Sequence, residues 1–258
     1  MSGMRSCSKA KPRVYAQSAE LDRCGPAHCG TILASARTAP LLENRHVPAP
    51  LTIQLWSDLI CPFCWVGERR LEQALASFAR RDQVTIVYRS FRLMPGVAPQ
   101  PVEVMLGQRY GAGPKQVAQM HAQVTQMAAE AGLAYDLAGT LTGDTMNGHR
   151  VAQFARTQGL QREVVQRFYR GYFSEHQSLF DPDTLLRLAV ESGLERNAVA
   201  GVLAGNDYSA NVESDERDAR SLQANGVPFF LIGDRIKVSG AQPPEKFLAA
   251  LNAAGSVG

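Results

Sequence analysis

Alternating apolar residues occur in two distant parts of the chain and predict the strands of one sheet. Leu51–Ser57 and Val84–Phe91 alternate branched or aromatic side chains with other residues, a pattern typical of half-buried strands. Near the C-terminus, Val227–Ile232 and Arg235–Val238 are separated by a Gly-Asp turn and predict a hairpin. We therefore expect a sheet whose strands come in pairs from the two ends of this region.

The segment between the first two strands has helical periodicity. Leu71, Leu75 and Phe78 recur at helical spacing in the stretch from Trp65 to Arg80. The charged residues between them are expected to form the wet face of this helix: Glu68, Arg69, Arg70 and Glu72. The predicted helix directly follows a pair of cysteines.

A series of helical patterns separates the second strand from the C-terminal hairpin. The candidate helices are Val102–Tyr110, Pro114–Ala131, Thr145–Thr157, Arg162–Phe173, Pro182–Glu191, Glu195–Ala204 and Tyr208–Ala224, and Pro244–Ala253 closes the chain. We therefore predict an α/β fold in which a split sheet holds an all-helical insertion of about residues 96–225.

Composition and charge exclude several classes of protein. The 258 residues are 45% hydrophobic and 20% charged, which is sufficient to bury a core and argues against wholesale disorder. No apolar run approaches the roughly 18 residues that a membrane-spanning helix needs. A net charge of +3 is a weak field without the basic stripe of a dedicated nucleic-acid binder. We expect neither a membrane nor a nucleic acid as partner.

Residues 1–50 differ from the remainder of the chain and are predicted to be a flexible basic extension. They contain seven Lys or Arg against three acidic residues and lack sustained strand or helix periodicity. They also lack the apolar stretch of a secretory signal, and with three further cysteines (Cys7, Cys24 and Cys29) this favours a reducing cytoplasm. A zinc site at Cys24, His28 and Cys29 is disfavoured because two closely spaced ligand pairs are not present, so no metal is expected.

The Cys-Pro-Phe-Cys sequence at residues 61–64 is the candidate centre of chemistry. Two cysteines three residues apart on a first helical turn have sulfur atoms close enough to bridge. The unpaired N–H groups at the helix start favour the thiolate of Cys61, which is the attacking species in disulfide exchange. Cys64 lies one turn further in and is the natural resolving thiol, while Pro62 fixes the first turn and Phe63 adds an apolar rim.

The cysteine pair has two other interpretations. The pair could be half of a zinc site, but the folded region contains no further cysteine and no histidine at ligand spacing. The cysteines could also be inert core residues, which the strand-to-helix placement and the intervening proline disfavour.

A second element is the Val227–Pro228 dipeptide at the start of a predicted strand. A proline there cannot donate to the ladder and is confined to a strand start or an edge. If the bond is cis, the Val227 backbone is left free to pair with an extended peptide near the cysteines, but X–Pro statistics alone favour trans.

Several segments together resemble the DsbA-like thioredoxin superfamily, most closely its FrnE-type branch of disulfide oxidoreductases. The carrying motifs are Cys61–Trp65 followed by Gly67, Phe91–Pro95, Gly226–Phe230 and Ser239–Gln242. The similarity covers about residues 51–254. It implies a thioredoxin fold interrupted by a helical domain, with no cofactor beyond a redox-active disulfide.

The resemblance also implies roles for individual residues. Cys61 corresponds to the nucleophile and Cys64 to the resolving thiol, and a cis Val227–Pro228 bond faces them as part of the substrate loop. Pro62, Phe63 and Trp65 are expected to border the substrate. His149, in a segment similar to a family motif on the insertion, is a candidate for lining the cleft, with a packing or capping role as the stronger alternative.

The leading expectation is a thiol-disulfide oxidoreductase that acts on protein thiols, protein disulfides or glutathione. The alternative is a glutathione-dependent enzyme of the kappa-class transferase or hydroxychromene-carboxylate isomerase type, which the region also resembles. Those relatives typically lack the second cysteine. A third interpretation is a binding module that holds unfolded protein in an apolar cleft around Phe63, Trp65 and Phe229. The oligomeric state is left open.

Overall fold

The computed structural model describes residues 50–255. Its elements in chain order are β1 (Leu51–Ser57), α1 (Pro62–Ala76), β2 (Val84–Ser90), β3 (Gln100–Pro101), α2 (Val102–Tyr110), α3 (Pro114–Glu130), β4 (Leu141–Thr142), α4 (Met146–Thr157), α5 (Gln161–Ser174), α6 (Pro182–Glu191), α7 (Arg196–Ala204), α8 (Ser209–Ser221), β5 (Phe229–Ile232), β6 (Ile236–Ser239) and α9 (Pro244–Gly255). The extension predicted for residues 1–50 lies outside this range except for its last residue, as do Cys24, His28 and Cys29.

Four strands form one sheet in the order β2-β1-β5-β6. The β1–β2 pair is parallel, whereas the β1–β5 and β5–β6 pairs are antiparallel. Because β1 is central, its Ile53 and Leu55 side chains are fully buried. Trp56 at the end of β1 pairs with Phe229 at the start of β5. This register brings the loop before β5 beside the start of α1.

The elements from β3 to α8 are inserted between β2 and β5, so the predicted fold class is confirmed: an α/β fold with a helical insertion. One continuous apolar core joins sheet residues such as Ile53 with insertion residues such as Phe168 and Leu188. The main additions to the prediction are β3 and β4, a two-residue antiparallel pair. Strands this short leave no periodic signal in a sequence.

Two predicted element boundaries are wrong at the junction between the insertion and the hairpin. Helix α8 ends at Ser221, not at Ala224, and strand β5 begins at Phe229, not at Val227. Pro228 has no N–H with which to continue the ladder, so pairing starts one residue later.

The prediction that Glu68 lies on the wet face of α1 is wrong. Arg69 is exposed, but Glu68 is fully buried. Helix α1 contacts α9, α3 and α5, so the insertion covers a side of the helix that would face water in an isolated sheet and helix pair. The charged residues of α1 therefore do not share one environment.

A buried carboxylate fastens the end of the insertion to the sheet. Asp215 on α8 accepts hydrogen bonds from the Arg89 guanidinium at 3.0 Å, the Ser90 N–H at 2.9 Å and the Gln153 amide at 2.5 Å, and its carbonyl accepts from the Trp56 indole at 2.8 Å. Every donor lies on another element, so α8 has a fixed position beside β2. This position determines where the chain re-enters the sheet.

Within residues 50–255, no helix is both long enough and apolar enough to cross a membrane.

Gly67 allows α1 to approach the loop before β5. A Cβ atom at this position would lie 2.8 Å from Pro228 Cγ and 3.3 Å from the Ala241 backbone. We predict that Gly67→Ala lowers the free energy of unfolding by about 1–3 kcal/mol, because neither neighbour can move without shifting backbone. Urea unfolding, monitored by circular dichroism, measures this loss.

The matched control is Gly201→Ala in α7, where a Cβ atom would meet nothing within 4 Å. This substitution should leave stability unchanged or raise it by up to about 1 kcal/mol, because alanine favours the helix. Equal effects of the two substitutions would contradict the close-approach argument.

Candidate active site

The two cysteines lie at the start of α1 in different structural positions. Cys61 is the N-cap residue, and Pro62 takes the first helical position. The Cys61 N–H donates to the Asp58 carbonyl at 3.1 Å, and the Cys64 N–H donates to the Cys61 carbonyl at 2.9 Å. The loop between β1 and α1 is therefore a defined turn that holds both side chains in place.

The two sulfur atoms have unequal surroundings. Both cysteines are free thiols, Cys61 with 4% of its surface exposed and Cys64 with none. Burial raises the pKa of Cys64 well above its usual value. A hydrogen bond with the Cys61 sulfur and the charge of Cys61 are smaller causes in the same direction. Cys64 is therefore held in its protonated form in the folded protein.

The loop before β5 faces the outer cysteine. The Val227–Pro228 peptide bond is cis, as the resemblance implied. The Val227 carbonyl oxygen lies 3.7 Å from the Cys61 sulfur, and the Pro228 carbonyl accepts a hydrogen bond from the Gly240 N–H at 2.8 Å. The Val227 N–H makes no hydrogen bond within residues 50–255. The structure thus brings Val227 and Pro228 together with Cys61.

A mainly apolar cavity of about 350 Å³ borders Cys61. Pro62 and Phe63 form part of its wall, and Phe63 is 40% exposed. The opposite wall comes from the insertion and includes Met105, Leu106, Met120, Val124 and Tyr172. The basic side chains among its lining residues are Arg109 and His121. The cavity is suited to an apolar group attached to whatever reacts with Cys61.

The cavity wall contributed by the insertion could not be predicted from the sequence. Its apolar residues lie on α2, α3 and α5 at ordinary helical spacing, which predicts a core face equally well. Leu106, Ala112 and Val117 form a small apolar cluster separate from the main core. Only the packing of α2 and α3 over the start of α1 distinguishes these residues as a wall.

Trp65 lies behind the cysteines and does not line the cavity. Its ring stacks on Tyr135 at 5.5 Å and on Tyr169 at 5.9 Å between centroids, and its indole N–H donates to Gln166 at 2.9 Å. The Tyr135 hydroxyl donates to the Pro62 carbonyl at 2.8 Å. This aromatic layer ties the first turn of α1 to the insertion, a supporting position instead of the substrate-facing one predicted.

His149 is also buried, with 3% of its surface exposed, and does not line the cavity. Its Nε2 atom lies 3.4 Å from Asp58 Oδ1. The fully buried Asp58 carboxylate accepts hydrogen bonds from the Leu93 N–H at 2.7 Å and the Thr145 hydroxyl at 2.8 Å. These contacts join the β1–α1 loop to the segment after β2 and to the insertion, so the position of His149 fits the packing alternative.

Glu68 is a titratable group near the cysteines whose charge pattern wrongly predicts an exposed position. Its carboxylate accepts a hydrogen bond from the Tyr88 hydroxyl, and the Gln166 side chain on α5 also acts on it. Burial is the largest cause of a pKa raised to about 7, and the Tyr88 hydrogen bond acts in the opposite direction.

Across residues 50–255, no group of His, Cys, Asp and Glu side chains could hold a metal ion.

Comparison with known proteins identifies the family. Residues 52–252 match the DSBA-like thioredoxin domain family. The chain therefore belongs to the DsbA-like thioredoxin domain family, which confirms the superfamily resemblance. Assignment to the FrnE-type branch stays a prediction.

Individual relatives agree with this membership. A crystal structure of a probable DsbA oxidoreductase from Streptomyces coelicolor is 40% identical, with a TM-score of 0.78 over 81% of this chain and 91% of that chain. The uncharacterized protein YwbO of Bacillus subtilis (strain 168) is 26% identical over 207 residues, or 78% of this chain and 95% of YwbO. The cytosolic disulfide reductase DsbM from Pseudomonas aeruginosa, solved with GSH, is 19% identical with a TM-score of 0.55 over 78% of this chain and 98% of that chain. At that identity the likeness to DsbM shows the fold alone.

The burial of Glu68 gives a stability prediction with a definite sign. Its pKa rises from 4.5 in an unfolded chain to about 7 in the fold, so the folded state holds the proton over that pH range. Stability is therefore lost as the pH rises through this range, by up to about 3 kcal/mol. We predict that the free energy of unfolding of Glu68→Gln increases relative to that of the unmodified chain as the pH rises between these two values. Urea unfolding at a series of pH values measures this difference.

Glu163→Gln on α5 is the matched control, because Glu163 is an exposed carboxylate. Its pH–stability curve should run parallel to that of the unmodified chain. A parallel curve for Glu68→Gln as well would show that Glu68 titrates normally in the fold.

Proposed function

We propose that this protein is a thiol-disulfide oxidoreductase that cycles Cys61 and Cys64 between a dithiol and a disulfide. The observation that carries the proposal is the inequality of the two thiols. Cys61 caps a helix and borders the cavity, whereas Cys64 is fully buried with a raised pKa. This difference supports Cys61 as the thiol that attacks the substrate and Cys64 as the resolving thiol.

The reaction follows from disulfide exchange. The Cys61 thiolate attacks one sulfur of a substrate disulfide, a Cys61–substrate disulfide forms, and the other substrate sulfur leaves as a thiolate that takes up a proton. Cys64 then loses its proton and attacks the Cys61 sulfur, which forms the Cys61–Cys64 disulfide and releases the second substrate thiol. Two electrons pass from the protein to the substrate, and the reverse sequence oxidises a substrate dithiol.

Substrate binding would use the backbone before β5 and the cavity. The Val227 N–H is free to pair with an extended peptide, which is the geometry of β-strand addition. Pro62 and Phe63 would contact the residues beside the reacting cysteine. Both protein disulfides and glutathione fit this arrangement, and the DsbM structure contains GSH.

We also place the activity in the cytoplasm. DsbM, which is described as cytosolic, has the same fold. The three cysteines of residues 1–50 agree with it, since reducing conditions keep thiols unpaired.

The roles of the two cysteines are tested by matched serine substitutions. The unmodified protein should accelerate the reduction of insulin by dithiothreitol. Cys61→Ser should abolish this acceleration, because the attacking sulfur is gone. Cys64→Ser should instead accumulate mixed disulfides at Cys61, visible as mass additions under non-reducing conditions. Full activity of Cys61→Ser would overturn the proposal, and client binding that survives loss of both cysteines would favour the binding-module interpretation.

The apolar cavity supports a second candidate, a glutathione-dependent transferase or isomerase acting on a small apolar compound. Such a reaction needs one nucleophilic or glutathione-orienting group and not a resolving thiol. In that case Cys64→Ala should bind glutathione tightly and keep its turnover, whereas the oxidoreductase proposal requires loss of turnover in this variant. Glutathione titration and activity assays of the same preparation separate the two.

A further inference from the structure

We propose that the cavity beside Cys61 selects small disulfides whose sulfur carries an aromatic group with a carboxylate, and that Arg109 binds this carboxylate. The inference rests on the proposed function, because it names a substrate class for the same site. It assigns the cavity to the part of the substrate that stays attached to Cys61 in the mixed disulfide.

The walls of the cavity are suited to an aromatic group. Three of the seven methionines of the chain line it, and they come from three different segments: Met94, Met105 and Met120. Aromatic side chains line it as well: Phe63, Tyr110, Tyr172 and Phe173. Thioether sulfur atoms make favourable contacts with aromatic rings, and unbranched methionines adapt to the shape of a bound group. An aromatic substituent therefore gains both ring contacts and sulfur contacts here.

The size of the cavity limits its occupant to a small molecule. The volume of about 350 Å³ lies near the lower end of the range for small-molecule sites, which is about 300–1,000 Å³. For comparison, an engineered apolar cavity of about 150 Å³ holds one benzene molecule. The cavity beside Cys61 therefore has room for a substituted aromatic ring.

Arg109 supplies a positive charge that lacks an anionic partner. Its guanidinium donates to the Met94 sulfur at 4.0 Å and lies 5.8 Å from the centroid of the Tyr110 ring. Within residues 50–255, it forms no ion pair with a carboxylate. A thioether is a weak acceptor, so the guanidinium keeps its capacity to bind a carboxylate.

The other polar groups of the wall do not oppose a bound anion. Among the described residues that line the cavity, none is acidic, and the second basic residue is His121 on α3. The Thr140 hydroxyl donates to the Leu137 carbonyl at 3.0 Å, and the Tyr172 hydroxyl also donates to a backbone carbonyl. The cavity thus presents apolar surface and positive charge. Glutathione would gain less from it, because its ammonium group finds no acidic partner in these walls.

Arg109 and Cys61 border the same cavity from two different parts of the fold. Cys61 lies at the start of α1, whereas Arg109 lies in the last turn of α2 on the insertion. A small molecule bonded to the Cys61 sulfur can therefore place its ring between the walls and its carboxylate on the guanidinium.

The reaction is the disulfide exchange of the proposed cycle with an aryl disulfide as the oxidant. The Cys61 thiolate attacks one substrate sulfur, the sulfur–sulfur bond of the substrate breaks, and one arylthiolate leaves. The other aryl group stays on Cys61 until Cys64 attacks the Cys61 sulfur and releases it as the second arylthiolate. The protein loses two electrons to the substrate, and the protons of the two thiols pass to solvent.

The experiment uses the full-length chain with Cys7, Cys24 and Cys29 replaced by serine, so that only Cys61 and Cys64 react. The rate at which each of three disulfides oxidises the reduced protein is measured as loss of free thiol after acid quenching. Dithiobis(nitrobenzoate) is aromatic and carries carboxylates, dithiodipyridine is aromatic and uncharged, and hydroxyethyl disulfide is neither aromatic nor charged.

Two substitutions alter the site, and each has a matched control elsewhere. Arg109→Gln removes the charge, and Arg217→Gln removes an exposed arginine on α8 that does not line the cavity. Val124→Phe fills the cavity from α3, whereas Val104→Phe adds the same ring at a position that is 44% exposed and outside the lining. Met105→Trp fills the cavity from α2 and replaces Val124→Phe if that variant does not fold.

The expected result is a pattern over the three disulfides. Arg109→Gln slows dithiobis(nitrobenzoate) about 5-fold more than it slows dithiodipyridine, because only the first carries a carboxylate. Val124→Phe slows both aromatic disulfides about 10-fold relative to hydroxyethyl disulfide, because the aromatic ring no longer fits. Arg217→Gln and Val104→Phe keep the parent rates with all three.

A double variant, Arg109→Gln with Val124→Phe, separates contact at the site from an effect of charge at a distance. If the ring must lie in the cavity for the carboxylate to reach Arg109, filling the cavity removes the effect of Arg109→Gln on dithiobis(nitrobenzoate). An effect of charge at a distance persists in the filled cavity, so the two substitutions act additively.

Three results would overturn the inference. The two substitutions could act additively, or Arg109→Gln could slow both aromatic disulfides equally. Val124→Phe could also slow insulin reduction as strongly as it slows the aromatic disulfides, which would assign the cavity to a side chain of a protein substrate. Failure of the proposed function has a different result, because the parent chain would then form no Cys61–Cys64 disulfide with any of the three compounds.

Discussion

The close packing of α1 against the Val227–Pro228 loop is the contact on which the site depends. Gly67 has no side chain, so Pro228 and the Ala241 backbone can approach the helix directly. This approach places the Val227 carbonyl 3.7 Å from the Cys61 sulfur, although the two residues are 166 positions apart in the chain. The start of a helix and the start of a strand together form a surface that can hold a thiol beside an unpaired backbone N–H.

The insertion makes the two sides of this site unequal. On one side its helices leave a mainly apolar cavity beside Cys61, and on the other they bury Cys64 and Glu68. Burial raises the pKa of both groups, because an ionised side chain loses its water there. A domain that appears from its sequence to be an ordinary helical bundle therefore sets both access to the outer thiol and the protonation of the inner one.

Much of the fold could be predicted because its signals are local. The strands of the sheet, the helix after the cysteines and the helices of the insertion all appear as apolar periodicity in the sequence. The cysteine pair could be found for the same reason, since its chemistry follows from two residue types at the start of one helix. The roles of Trp65 and His149 could not, because whether such a side chain faces a cavity or the core depends on elements far away in the chain.

The sequence by itself determined the order of the elements, the family resemblance and the two sulfur atoms, because each of these is recorded in neighbouring residues. The tertiary structure decided which charges of α1 meet water, where the cavity lies and which acid of α1 is buried. Glu68 illustrates the difference: its neighbours Arg69 and Arg70 suggest a wet face, but α5 and β2 enclose it. Burial is a property of the whole packed chain, and a local pattern records it only where one face alone is covered.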